Sequence, residues 1–544
     1  MAESVHPLVL RAREALARSE LRTAELAMEE RLKTAGRDIN ALEVRYLIQK
    51  HRGQLGEAAR TLDTVIGINP RADWAHNELI QLLLTHGKAA DAEQVTRNAM
   101  RVNPDNPQAN HVLGRLLSDA GDLKAGERHL RRALELDGKP PGFHVSLADN
   151  LLKQGRREEA QSFFARAHEL APNDVQTLVS WSSAAEPDQA AELLERAAAL
   201  AAPEDLNLPR ASHLSRTGRA EAALALLDAA KNLSGTGLLM RGRLHERLGK
   251  YDQAWQDYGA GQRKLATEAN GPPYKGEAVE ALFGRFKQFF NRENLARLPR
   301  AALRADLPQP IFLVGAPRSG AKWVEAILAR HPAVTAGGEL PFLGELRKVA
   351  SDLLPSQQPF PDNLAHSWTA DRHYAAAVLR DHYLARAERY GLTAGGKRYF
   401  IDRTPFNEVY LPLVKMAFPL AKIVHVSRHP LDVCVSMMAN DVRHGFNCGY
   451  RLEDTAHHLA AVSELLDHYH RELDLGCHSL RYEALVANPS GETRRLLDYI
   501  ELPFVESCMP TVETSSVDRH QHFTQYLRPY ASRLQRLLVN AGNA

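Results

Sequence analysis

Cysteine is scarce in this sequence: of 544 residues only Cys434, Cys448, Cys477 and Cys508 carry a thiol, all in the last quarter and none in a CxxC pair. That excludes a zinc knuckle and a disulfide scaffold, and fits reduced thiols in a cytoplasmic protein. An excess of charge of one sign is missing too. The 68 lysines and arginines nearly balance 66 aspartates and glutamates, for a formal net charge of +2, so the basic excess of a nucleic-acid binder is absent. No stretch approaches the roughly 20 consecutive apolar residues of a membrane span. The opening MAESVHPLVLRAREALARSE is interrupted by charge too often for the apolar core of a signal peptide. The expectation is a soluble, cytoplasmic chain with no membrane or nucleic-acid partner. Its length calls for several domains, or a repeat array joined to one more.

What the sequence does have is self-similarity. Gly53, Gly87, Gly121 and Gly155 stand 34 residues apart, and a second series, INP at Pro70, VNP at Pro104, LDG at Gly138 and LAP at Pro172, keeps the same step. Thirty-four residues is the tetratricopeptide (TPR) period, in which glycine ends the turn between two helices and proline or glycine ends the second helix. A third series, Ala58, Ala92, Gly126 and Ala160, puts a small residue early in each second helix, where close packing needs one. The period slips around SWSSAAEPDQAAELLERAAAL and recovers at Gly218 and Gly249. Such repeats stack into an all-α superhelix with a concave face. That face suits either a protein or peptide partner docked in the groove, or a homodimer or spacer role.

Gly271, Pro272 and Pro273 break the array, and GEAVEALFGRFKQFFNREN looks like a connecting amphipathic helix. Beyond it, apolar strand-like runs alternate with helical stretches: IFLVG then WVEAILARH, KRYFIDR then NEVYLPLVKMAF, AKIVHVSR then PLDVCVSMMAND, CHSLRYE then GETRRLLDYI. This alternation predicts an α/β domain with a parallel sheet.

The first strand runs through GAPRSGAKW into a helix, and a strand-turn-helix of this kind offers free amides and a positive dipole end to an anion. Gly315 and Gly320 allow close backbone approach, Arg318 brings a charged fork and Ser319 a hydroxyl. It is not a Walker A loop: Ala321 and Lys322 follow Gly320, so the lysine is displaced by one and no serine or threonine follows it to hold a magnesium ion.

Four segments together carry a family resemblance. FLVGAPRSGAKWVEAILARHPAVTAGGELPFL, FIDRTPFNEVYL, HVSRHPLDVCVSMM and LRYEALVANPSGETRRLLDYIELPF resemble, in order and spacing over residues 308 to 506, the motifs of the bacterial TPR-sulfotransferases and the related tyrosylprotein sulfotransferases. The resemblance implies an all-α TPR superhelix followed by an α/β P-loop-like sulfotransferase domain. It implies a helical segment over 1–36, the repeats over 37–268, a linker and connecting helix over 269–305, and the sulfotransferase domain over 306–544. The implied donor is 3′-phosphoadenosine 5′-phosphosulfate (PAPS), and the implied acceptor a hydroxyl, with tyrosine of a protein or peptide favoured over a sugar, lipid or small molecule. No metal is called for, because Arg318, Lys322, Arg403 and backbone amides meet the charge.

By the same resemblance the donor-binding residues are Arg318, Ser319, Gly320, Ala321, Lys322, Arg428, Ser436, Tyr482 and Ser516, and the catalytic residues Glu339, Arg403 and Lys322. Arg428 and Ser436 match the pair that holds the 3′-phosphate, a sensible use of a guanidinium fork. Glu339 matches the carboxylate assigned as base, with His331 and His366 as rivals. Three departures stand out. Ala321 and Lys322 replace two threonines, and Arg403 replaces a lysine. An arginine stabilises a leaving oxygen but gives up no proton near neutral pH, so Lys322 is the candidate general acid, and a decayed, nucleotide-binding scaffold is the alternative. Third, a C-terminal lid motif is poorly kept: Arg519, His520 and Gln521 replace its first part, and Arg528 and Tyr530 match its second.

Overall fold

The computed structural model describes residues 5–119, 121–269, 272–354, 356–369, 373–442, 446–473, 475–509 and 517–542. The chain divides into two compact units, Met1–Pro209 and Arg210–Ala544.

The first unit is helical throughout. After Pro7–Ala17 and Leu21–Thr34 come Ile39–His51 with Leu55–Ile68, Asp73–Thr85 with Ala89–Val102, Pro107–Asp119 with Leu123–Leu136, and Pro141–Lys153 with Arg157–Leu170. The TPR register read from sequence is visible in the backbone. Gly53, Gly87, Gly121 and Gly155 have φ of 69°, 70°, 90° and 81°, a left-handed turn that a side chain resists and glycine accepts. Ala58, Ala92 and Ala160 are wholly buried. At Gly126 the two helices of a pair come closest: a Cβ there would lie 2.3 Å from Ser118 Oγ and 2.8 Å from Gly114 O. Where the period slips, the helices shorten to Val175–Ala184 and Pro187–Ala198. Pro187 lacks a backbone N–H and has a fixed φ, so it opens a helix rather than continuing one. A cavity of about 350 Å³ lies against Pro107–Asp119 and Pro141–Lys153, the first helices of successive repeats. Arg115, Asp119, Asp149 and Lys153 line it, and burial pushes the Asp149 carboxyl up to about 6.

The second unit begins with shorter helices and the pair Gly235–Arg247 and Tyr251–Ala269, whose turn glycine Gly249 has φ 74°. Its sheet has five parallel strands: β1 Gln309–Val314, β2 Val334–Thr335, β3 Tyr399–Asp402, β4 Lys422–Ser427 and β5 His478–Arg481, in the order β2-β3-β1-β4-β5. β1 is central, with Gln309 opposite Tyr399 and Ile311 opposite Lys422. Burial explains its unbroken apolar run: Ile311 to Val314 are each at most 1% exposed, as expected of a strand covered on both faces. The four strand runs read from sequence are present, and the two-residue β2 at the edge joins them. The 21-residue helix Leu452–Glu472, which the alternation did not flag, packs on Gly276–Phe289. Since the chain steps from β1 to one side of the sheet and from β3 to the other, the carboxyl ends of β1 and β4 flank the point where such sheets bind ligands. None of the four cysteines is in a disulfide. No helix among the described residues is long and apolar enough to cross a membrane.

Gly126→Val should lower the thermal midpoint of the helical transition by the equivalent of about 1–3 kcal/mol, as read by circular dichroism. Gly56→Ala, where a Cβ meets nothing within 4 Å, is the control that should not destabilise.

Candidate functional site

The β1 run delivers the chain into residues 315–320, and the helix Ala321–Leu328 leaves from them. Two contacts force glycine on this turn. At Gly315, φ 142°, a Cβ would sit 2.3 Å from Val426 O; at Gly320, φ 105°, it would sit 2.5 Å from the Tyr482 ring. Between them Arg318 takes the left-handed conformation, φ 68°, a strained choice for a residue with a side chain, on the order of 1 kcal/mol. Both its ends are held: Arg428 Nη1 donates to Arg318 O at 3.2 Å, and Arg318 Nε donates to Ser436 Oγ at 3.0 Å. Ser436 lies on Pro430–Met438, the helix that follows β4. The Arg428 guanidinium also packs 4.8 Å from the Tyr482 ring centre. The structure therefore brings Arg318, Gly320, Arg428, Ser436 and Tyr482 together, while Ser516 lies outside the described residues.

Ser319 is 1% exposed and its Oγ has no hydrogen-bond partner among the described residues. A buried hydroxyl without a partner is costly, so its place in an amide-rich turn fits a ligand that supplies an acceptor. Desolvation, then repulsion from Arg428, Arg519 and Arg243, lowers the pKa of Arg318. Cations crowded until they weaken one another are relieved by an anion. Gln262, 1% exposed, turns its side-chain amide to Met437 O, Met438 O and Asn440 O at 3.1, 3.0 and 2.8 Å, closing the end of the helix that carries Ser436.

The second cluster is carboxylate-rich. Arg403 Nη1 donates to Glu339 Oε1 at 2.7 Å, and its Nε donates to Glu325 Oε2. Glu325, on the apolar face of Ala321–Leu328, also accepts the Gly338 N–H at 2.7 Å. Arg403 N donates to Gly338 O at 3.0 Å, and Leu340 N to Thr404 Oγ1 at 2.6 Å. Glu339 is thus flanked by two pinned residues while its own side chain stays 41% exposed. Burial opposes the charge on Arg403, but Glu325 and Glu339 outweigh it and raise its pKa.

Lys322, in the first turn of the helix, is exposed and makes no hydrogen bond or ion pair with the described residues. Of the rival bases, His331 is buried, with Nδ1 accepting the Ala333 N–H at 3.1 Å and Nε2 facing Pro503 O at 3.2 Å. Both ring nitrogens therefore serve the fold. His366 is exposed on the short helix Asp362–Trp368.

Sequence reasoning missed three acids. Glu325 reads as an ordinary polar residue within WVEAIL, and its one signal is a carboxylate on a buried face. Glu408, 1% exposed, accepts the Gly315 N–H at 3.3 Å, and burial pushes its carboxyl up to about 7. Asp432 accepts the backbone N–H groups of Asp518 and His520 at 2.9 and 2.8 Å, and His520 Nδ1 lies 2.9 Å from it. Its spacing from Arg428, four residues along a helix start, was the available signal. His429, Asp432 and His520 bring ligand-type atoms close together. These three bonds already occupy most of the Asp432 carboxylate, and Arg428 stands 3.8 Å away, which disfavours a cation there.

Residues 310–506 match the model of the Sulfotransferase family, and residues 51–116 and 117–181 match that of the Tetratricopeptide repeat. The chain is similar to an uncharacterized protein of Aquifex aeolicus (strain VF5), 26% identical over 54% of this chain and 40% of that protein. It is similar to a putative protein-tyrosine sulfotransferase of Caenorhabditis briggsae, 22% identical over 38% of this chain and 70% of that one. Among solved structures it is similar to a thermophilic TPR protein of Thermus thermophilus, 25% identical over 32% of this chain and 96% of that one, with a TM-score of 0.27. The chain spans less than half the length of the Aquifex relative.

The raised carboxyl of Glu408 generates a pH prediction. A group protonated more readily when folded stabilises fully below its ordinary value of 4.5, and that contribution is lost as pH rises through about 7. Glu408→Gln stays neutral, so urea denaturation should show its stability gaining on the unchanged protein between pH 5 and pH 8, by up to about 1.4 kcal/mol per pH unit.

Proposed function

We propose that this chain, which joins tetratricopeptide repeats to a sulfotransferase-family domain over residues 310–506, transfers the sulfuryl group of PAPS to the hydroxyl of a tyrosine in a protein or peptide. The observation that carries the reading is the cluster beyond the carboxyl ends of β1 and β4, where Arg428 donates to the Arg318 carbonyl, Arg318 donates to Ser436, and the buried Ser319 hydroxyl has no hydrogen-bond partner among the described residues. Arg428 and Ser436 hold the 3′-phosphate. The amides of residues 315–320, with Ser319 and the helix N-terminus at Ala321, hold the 5′-phosphosulfate. Tyr482 lines the nucleotide. The bound donor supplies a sulfuryl group whose bond to the 5′-phosphate is the one that breaks.

Glu339 takes the acceptor proton as general base. To do so it gives up its bond to Arg403, which keeps its second carboxylate, Glu325, and so stays in place. Arg403 and Lys322 face the charge that develops on the leaving phosphate. Arg403 cannot lose its proton, whereas Lys322 can, and Lys322, unlike Arg403, has no carboxylate bound to it among the described residues. The name of the Caenorhabditis briggsae relative favours a tyrosine acceptor. The polar cavity against the first helices of the repeats, with Arg115, Asp149 and Lys153, suits docking of the acceptor protein. A nucleotide-binding scaffold without transfer is the second reading, and the Arg403–Glu339 ion pair, which occupies the base, favours it.

Incubation with radiolabelled PAPS and a panel of tyrosine peptides separates the two. Transfer that falls by about 10²–10⁴ in Glu339→Gln supports the enzyme; donor binding without label on any acceptor supports the scaffold. Lys322→Ala should lower turnover by about 10²–10³ and change affinity for 3′-phosphoadenosine 5′-phosphate by no more than about threefold. Equal loss of both overturns its role as acid.

A further inference from the structure

Arg243 lies outside the matched sulfotransferase region, on the helix Gly235–Arg247, yet it reaches the same helix end as Arg318. Its Nη1 donates to Ala439 O at 2.7 Å. Ala439 caps Pro430–Met438 three residues after Ser436, whose Oγ accepts from Arg318 Nε at 3.0 Å. Residues three apart on a helix are neighbours on one face, about 5–6 Å apart. Two guanidiniums from distant parts of the chain are therefore tethered to one patch, and both side chains remain open to solvent. Arg243 acts on Arg318 as a like charge; desolvation is the main cause that lowers the pKa of Arg243 itself, with Arg519 adding to it and Tyr258 and Glu246 opposing it. The nearby Glu246 does not neutralise the patch, because Arg519 already binds it at 2.7 Å through two nitrogens and Tyr258 donates to it as well.

We infer that Arg243 is a cationic contact for the 3′-phosphate of the donor nucleotide, so that the last helix pair of the helical array supplies part of the donor site. The inference rests on the reading that the Arg318–Arg428–Ser436 cluster binds a 3′-phosphorylated adenine nucleotide. Its chemistry is that of a dianion shared among Arg428, Arg318 and Arg243, with Ser436 as the hydroxyl contact. A purely structural role is the competing account, since a cation at a helix C-terminus stabilises the helix with no ligand present.

Calorimetric titration of the full chain with 3′-phosphoadenosine 5′-phosphate and with adenosine 5′-phosphate distinguishes these. The unchanged protein should prefer the 3′-phosphorylated nucleotide. Arg243→Met should lose about tenfold or more in affinity for it and no more than about twofold for adenosine 5′-phosphate. Arg243→Lys, which keeps the charge without the fork, should fall between. Equal weakening of both nucleotides overturns the phosphate contact in favour of the structural role. Preference lost in Arg428→Met but retained in Arg243→Met overturns this inference and leaves the donor reading standing. No preference in the unchanged protein overturns both. Should Arg243→Met fail to fold, full preference in Arg243→Lys and in Arg243→Gln overturns the inference.

Discussion

The guanidiniums of Arg318 and Arg428 repel each other across the gap between the β1 turn and the end of β4, and much of the surrounding packing holds them there. Arg318 sits in a left-handed conformation that costs free energy, and Arg428 donates to its carbonyl. Ser436 fixes the Arg318 side chain, and Gln262 fixes the helix that carries Ser436. Gly315 and Gly320 leave no room for a side chain on either flank. Strain and like-charge repulsion in one place are offset by contacts elsewhere in a folded protein. Here the compensation comes partly from an ordinary neutral amide, Gln262, which reaches from the helix Tyr251–Ala269 to the end of Pro430–Met438 without adding charge beside the arginines.

Buried acids in this unit have different fates, and the partner decides each. Asp432 meets His520, two backbone N–H groups and Arg428, and although burial opposes it, these hold its carboxyl below the ordinary range. Asp402, wholly buried, is met by the neutral donors Tyr383, Thr404 and Asn407, and burial pushes it up to about 6. Glu408 is met by backbone amides and rises further. Hydrogen bonds from neutral groups recover part of the desolvation cost, whereas a facing cation or a charge-assisted bond recovers more. The arginine at position 403 follows the same logic. A lysine offers one nitrogen as a point charge; a guanidinium reaches Glu325 with one nitrogen and Glu339 with another. The exchange of lysine for arginine thus links the helix after the anion turn to the segment that presents Glu339.

Legibility in the sequence followed how local the cause was. The repeats were legible because a left-handed glycine is demanded at every 34th residue, and the anion turn because glycines, arginine and serine sit within six positions. β1 was legible because burial on both faces leaves an unbroken apolar run, and the other strands because each precedes a helical stretch in a regular alternation. Glu325 and Glu408 were not, since their partners Arg403 and Gly315 lie 78 and 93 residues away and a lone acid in WVEAIL or NEVYLPL has no periodicity to betray it. The commitment of Arg403 to two carboxylates was equally hidden. Its identity was plain, but pairing is a property of the packed fold.

The C-terminal departures look different once their contacts are known. Arg519 binds Glu246 through two nitrogens at 2.7 Å each, and His522 stacks on Tyr251 with ring centres 4.2 Å apart. Trp255 stacks on Tyr526 at 5.1 Å, and Asp252 accepts from both Gln525 and Tyr526. All four of these anchors belong to the helices Gly235–Arg247 and Tyr251–Ala269, while His520 turns the other way, to Asp432 beside Arg428. Residues that depart from the family motif therefore join the last helix pair to the Asp432–Arg428 pair. A segment bound by an ion pair, two ring stacks and two hydrogen bonds to one carboxylate is held by its neighbours, and in this chain those neighbours are helices that lie outside the matched sulfotransferase region.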